Sequence, residues 1–251
     1  MATLAQAVEK LTELTGMNPS EVLRSGRALR DGGWIPKGEV GGGRGAVHLE
    51  PEHFARFLLA LLGTDVSARA GEAVEKLSGW KSRLTGSGPD GQRALEVEET
   101  IRREWEGLSL GAGEWSPFSY GGGLETALSA LIGTGGRLAG GEFLRRRVHE
   151  VEVDRRQGWA VIVFKEPPAA PSWGNDEGRR VIDALHQHPP LLLREVYLAG
   201  GEEALQLLLG GLRTPCRLQV TARVPGALLA ELGTLARWRS GDGRSGRKFR
   251  E

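Results

Sequence analysis

A chain of 251 residues is long enough for one large domain or two small ones, and for a substantial buried core. Its 39% hydrophobic and 26% charged residues are those of an ordinary globular protein, and a net charge of +1 excludes a polycation, so attraction to nucleic acid has to come from local patches. The single cysteine, Cys216, excludes an internal disulfide framework and a cysteine-based zinc site, and fits a reducing compartment.

The opening MATLAQAVEK carries no basic-then-apolar leader, and no apolar run approaches the ~18 residues of a membrane span. A cytoplasmic protein with no membrane contact is expected. The 38 glycines stand in ones, twos and threes between helical segments, which points to many short elements.

Thr3 and Gln6 have capping-box spacing, and Leu4, Val8 and Leu11 then recur on one face of a first helix. Gly16 stands where a left-handed C-cap is needed. Asn18-Pro19-Ser20-Glu21 at once opens a second helix, with a cap, a proline at the first helical position and an acid in the first turn. Two helices joined by so short a turn cross steeply, as in a helix-turn-helix.

The second helix, residues 19–31, divides by face. Val22, Gly26, Leu29 and Gly33 cluster on one side, and Ser20, Arg24, Arg27 and Asp31 on the other. Such a polar face can donate to phosphates and to guanine edges in a major groove, and Asn18 stands at its start. A solvated surface is the plainer alternative.

Gly32-Gly33 ends the helix, and Trp34-Ile35 anchors the exit. Residues 36–49 then read as a hairpin, with Lys37 at its start and Arg44 in the glycine tip GGGRG. A glycine tip allows close approach to a phosphate backbone, where Arg44 can enter a minor groove. A helix from Pro51 to Leu62, with Phe54, Phe57, Leu58 and Leu61 at core spacing, supplies the third side.

Across Thr15, Gly16, Val22, Arg27, Leu29, Arg30, Gly33, Pro36, Lys37, Gly38, Arg44, Leu49, Pro51 and Ala55 the chain resembles the N-terminal winged helix-turn-helix module of uncharacterised DNA-binding proteins of temperate phages and prophages. The similarity covers about a quarter of the chain, with a weaker echo near residues 220–236. It implies DNA binding but names no target. The loop GEVGGGRG is less basic than the resemblance leads one to expect.

Further along, Ser67 to Leu84 reads as one amphipathic helix, and residues 85–91 as a loop. Val97, Ile101, Trp105 and Leu108 mark a helix, and Leu124 to Ile132 a shorter one. The irregular stretch between these two holds Trp115, Phe118 and Tyr120. Val151 and Val153, a turn over Asp154 to Gly158 and the run Trp159 to Lys165 make a hairpin. After a proline linker come a short helix near Val181 to His186, a strand over Leu191 to Leu198, a helix through Leu205 and Leu208, a strand over Cys216 to Thr221 and a last helix opened by Pro225. The stretch after Arg237 is basic, and its composition predicts a disordered tail.

No catalytic constellation stands out, and no enzyme, cofactor or metal site is expected. Gly121-Gly122-Gly123 and Gly200-Gly201 lack the glycine spacing and the following Lys-Ser/Thr of a phosphate-binding loop. His186 and His188 lack an acidic partner at ligand spacing. Arg145-Arg146-Arg147 suits either nucleic acid or a solvated edge.

The expectation is therefore an α+β chain in three parts. A winged helix-turn-helix spans residues 1–64, and a mixed domain of helices and two-stranded pieces for oligomerisation or partner binding spans 65–236. A basic tail spans 237–251. Its role would be a phage- or prophage-type transcriptional regulator that binds double-stranded DNA through Asn18, Ser20, Arg24, Arg27, Lys37 and Arg44. Its partners would be further copies of itself, as a dimer or higher oligomer, and RNA polymerase or another protein. Two rival readings are a DNA-packaging or recombination accessory protein of small-terminase type, and a protein-interaction module that uses the helix-turn-helix only as scaffold.

Overall fold

The computed structural model describes residues 2–37, 48–86, 91–108, 115–118, 121–155, 158–165, 192–198 and 221–237. Over these the chain is α+β. It runs through α1 (Leu4–Thr15), α2 (Pro19–Asp31), α3 (Pro51–Gly63), a 3-10 turn (Ser67–Arg69), α4 (Ala70–Ser78), β1 (Lys81–Gly86), α5 (Gly91–Leu108), α6 (Leu124–Gly135) and α7 (Leu138–Arg147). The remaining elements are β2 (Val148–Asp154), β3 (Trp159–Lys165), β4 (Leu192–Leu198), β5 (Thr221–Pro225) and α8 (Gly226–Arg237). Among the described residues, no helix is long and apolar enough to cross a membrane.

The first two helices start and stop where their caps dictate. Gln6 N–H donates to Thr3 Oγ1 at 3.4 Å and Thr3 N–H donates to Gln6 Oε1 at 2.9 Å, closing the capping box of α1. Gly16 ends α1 at φ 66°, a left-handed conformation that glycine adopts without a Cβ clash. Val22, Gly26 and Leu29 of α2 are buried. A Cβ on Gly26 would lie 2.9 Å from both Leu4 Cδ1 and Phe57 Cζ, so the absence of a side chain there sets how closely α1, α2 and α3 meet.

α3 reaches well beyond this small unit. It packs on α4 and α6, and Arg56 Nε donates to Glu125 Oε1 of α6 at 2.7 Å while its Nη1 donates to the Trp34 carbonyl at 3.1 Å. One hydrophobic cluster runs from Ala2 and Leu11 through Phe54 and Leu128 to Leu229, so packing is continuous across residue 64.

The strands form one five-stranded antiparallel sheet in the order β1-β4-β3-β2-β5, in place of the separate two-stranded pieces expected. The β2–β3 hairpin forms as its alternation requires, with Gly158 N–H closing the turn on the Asp154 carbonyl at φ 76°. The expected Ser67–Leu84 helix is corrected: it ends at Ser78, and Leu84 lies in β1. Gly79 stops the helix, Trp80 is buried to 2% exposure, and Lys81–Gly86 pairs along β4. Tertiary pairing overrides the local helical pattern there.

Trp115 and Phe118, from the irregular aromatic stretch, are buried. Trp115 Nε1 donates to the Tyr197 hydroxyl at 3.1 Å and its ring meets Trp105 edge-on at 5.1 Å. The expected helices near 181–186 and through 205–208, residues 216–220 of the expected strand and the tail beyond Arg237 lie outside the described residues, as do His186, His188 and Cys216. Thr221 begins β5, and Pro225, expected to open the last helix, ends that strand instead.

Glu98 is a buried carboxyl on α5, 8% exposed. Burial raises its pKa above the ordinary glutamate value, against a smaller lowering by Arg102. The native protein therefore holds this proton more tightly than the unfolded chain. The cost of burying the charge is absent below the unfolded pKa and grows as pH rises through the native one. Glu98→Gln is expected to raise the melting temperature at about pH 8 and leave it unchanged at about pH 4. Thermal melts of both proteins at the two pH values check this, and an equal difference at each would refute it.

Candidate nucleic-acid interface

Basic and acidic residues balance across residues 1–64, seven of each, so a basic surface there requires segregation. α2 provides it. Opposite the buried stripe, Ser20, Arg24, Arg27 and Asp31 are all exposed. Asp31 is drawn to one side by Arg30, whose Nε donates to Asp31 Oδ1 at 3.3 Å. Arg24 Nε donates to the Ser20 carbonyl at 3.2 Å, which lays the guanidinium along the helix and leaves its Nη donors for a partner. Among the described residues neither Arg24 nor Arg27 has a carboxylate within 4 Å. A guanidinium presents a planar fork of donors that fits phosphate and the guanine edge.

Asn18 and Ser20 are committed to the helix. Asn18 Oδ1 accepts from Ser20 N–H at 2.9 Å and from Ser20 Oγ at 2.8 Å, so the serine hydroxyl proton is used and Oγ can act outward only as an acceptor. Asn18 Oδ1 and the Ser20 hydroxyl proton therefore build the N-terminus of α2, while the exposed Asn18 amide nitrogen keeps its two donors for the surface.

The exit from α2 is held firmly. Gly33 has φ 80°, Ile35 is 2% exposed, and the Trp34 ring lies against Gly71 at the start of α4, where a Cβ would fall 2.8 Å from Trp34 Nε1. Lys37 follows and is exposed. Arg44 and the tip of the expected 36–49 hairpin lie outside the described residues. Beyond them, Leu49 is 2% exposed and bridges to Ala2 in antiparallel fashion, with Leu49 N–H donating to the Ala2 carbonyl at 2.7 Å. The chain that leaves α2 at Gly32 is thus back beside the N-terminus of α1 by Leu49.

α3 begins at once with its own cap. Glu50 N–H donates to His53 Nδ1 at 2.9 Å, while Nε2 lies 3.3 Å from Glu52 Oε1. Burial lowers the His53 pKa, the largest influence on it. The neutral ring, accepting at Nδ1, is the form this cap uses.

Of the other basic and glycine-rich candidates, Arg145–Arg147 and Gly121–Gly123 are absorbed into the fold, while Gly200-Gly201 and the basic tail lie outside the described residues. Arg147 is 3% exposed, and its Nε and Nη2 donate to Glu104 Oε2 and Oε1 at 2.6 and 2.5 Å. Arg145 pairs with Glu231 and Arg146 with Glu142. The Gly121–Gly123 turn is spent on backbone pairing: Gly121 N–H donates to the Ser82 carbonyl at 3.0 Å, and the Gly122 carbonyl accepts from Ser82 N–H at 2.8 Å. Among the described residues no three metal-ligating side chains come together.

No family model matches the chain, and neither a curated protein nor a solved structure matches it significantly.

Proposed function

We propose that this protein binds duplex DNA, with the exposed face of α2 in the major groove as the second helix of a winged helix-turn-helix. The observation that carries the reading is the placement of Arg24 and Arg27. Both are exposed on α2 and lack a carboxylate partner among the described residues, while Val22, Gly26 and Leu29 fix the opposite side in the core.

Arg24 and Arg27 would donate to phosphates and guanine edges. Lys37 and Arg44 of the 36–49 hairpin would meet the backbone or the minor groove. The link from α2 through buried Ile35 to the Ala2–Leu49 bridge supports a wing held at both ends. The biological role that fits is a phage- or prophage-type transcriptional regulator acting as a dimer or higher oligomer, since a single small reading head seldom covers a long enough site. The direct test is a mobility shift on random-sequence duplex at about 50 and about 200 mM salt. Binding that weakens steeply with salt supports the reading, and no binding at the lower salt overturns it.

A further inference from the structure

Among the described residues most of the exposed and half-buried arginines have a carboxylate partner. Arg30, Arg102, Arg103, Arg145, Arg146 and Arg223 each have a carboxylate within 4 Å. Arg56, Arg147 and Arg155, more deeply placed, are paired in the same way, and Arg137 donates to the Leu108 carbonyl. Among the described residues the exposed arginines without such a partner are Arg24, Arg27 and one more, Arg69.

Arg69 ends the Ser67–Arg69 turn, which packs along α2, and two residues later Gly71 receives the Trp34 ring. Far apart in sequence, the three free guanidiniums therefore belong to two elements in direct contact. Lys37, three residues beyond Trp34, is exposed at the same end of α2.

We infer that Arg69 is a phosphate-binding residue flanking α2, and that the Ser67–Arg69 turn is a second edge of the surface that grips the duplex backbone. This rests on the DNA-binding reading above and extends it to an element outside the helix-turn-helix. In the DNA complex proposed above, Arg69 would reach the sugar-phosphate strand that borders the groove holding α2. A free guanidinium there meets phosphate without first giving up an ion pair. Contacts of this kind fix orientation and add affinity without reading sequence.

The test is the affinity of the full chain for random-sequence duplex across a salt series, for wild type, Arg69→Ala, Arg69→Glu and the control Arg103→Ala. Arg103 is exposed on α5 and paired with Glu99. Arg69→Ala is expected to weaken binding about 5- to 10-fold and to reduce the slope of log K against log salt by about 0.9, the loss of one phosphate contact. Arg69→Glu should weaken binding further, and Arg103→Ala should match wild type. If wild type binds and loses affinity on Arg24→Ala with Arg27→Ala, yet Arg69→Ala and Arg69→Glu leave affinity and slope unchanged, this inference fails while the DNA reading stands. If wild type does not bind duplex at all, both fail.

Discussion

Glu104→Gln is expected to destabilise the protein by about 1–3 kcal/mol, the cost of leaving a buried guanidinium beside a neutral, half-exposed partner. Arg147 sits at the junction of α7 and β2 with its side chain 4% exposed, and Glu104 of α5 supplies both oxygens that its guanidinium fork meets. With the carboxylate gone, the positive charge stays in the interior with no counter-charge and cannot lose its proton. For a chain of this size the fall in melting temperature would be about 2–12 °C. Replacing both members together, as Glu104→Leu with Arg147→Met, should recover most of that loss, because an apolar pair carries no desolvation cost. Thermal melts of the two variants check both halves. A single variant that melts with wild type would show that the pair does not hold α5 against α7.

A comparable loss is expected from one added methyl group, in Gly233→Ala. α6 and α8 cross with their backbones touching: a Cβ on Gly233 would run into the Ile132 carbonyl oxygen and the Gly136 nitrogen, while one on Gly135 would meet the Ala230 Cα at 3.0 Å. These are main-chain atoms, so no side-chain rotation relieves the clash and the helices have to separate. Overpacking of this kind costs about 1–3 kcal/mol and more where the surroundings cannot yield. α8 also packs on α7, which leads directly into β2, so separation there loosens the sheet edge as well. The measurement is the midpoint of denaturant unfolding for Gly233→Ala against Gly107→Ala, where a Cβ meets nothing within 4 Å. Equal midpoints would contradict the tight crossing.

How much of this was legible in the sequence depended on whether the cause was local. α1 and α2 could be read because their signals lie within one turn: the Thr3–Gln6 box, Gly16, and Asn18-Pro19. The same holds for the faces of α2, since helical spacing alone separates Val22 and Leu29 from Arg24 and Arg27. The β2–β3 hairpin could be read from alternation and a short turn. β1 could not, because KSRLTG continues the helical pattern of the segment before it and becomes a strand only beside β4, far along the chain. The joining of the strands into one sheet was hidden for the same reason. Within the candidate interface, sequence identified Asn18 and Ser20 as polar residues at the right place but could not tell that each uses the other to cap α2. It also placed Arg69 on a long helix, where nothing marked it as a neighbour of α2. The run Arg145-Arg146-Arg147 looks uniform in sequence. In the fold each arginine has its own carboxylate, from Glu231, Glu142 and Glu104.

DNA binding by the α2 face is checked by the affinity of wild type and of Arg24→Ala with Arg27→Ala for random-sequence duplex at about 50 mM and about 200 mM salt. Both side chains are exposed and make no ion pair among the described residues, so the variant should melt with wild type. Wild type should bind in a salt-sensitive way. The double variant should lose about 30-fold or more at the lower salt, taking about 1–3 kcal/mol for each arginine. Equal affinity of the two proteins at both salt concentrations would contradict it.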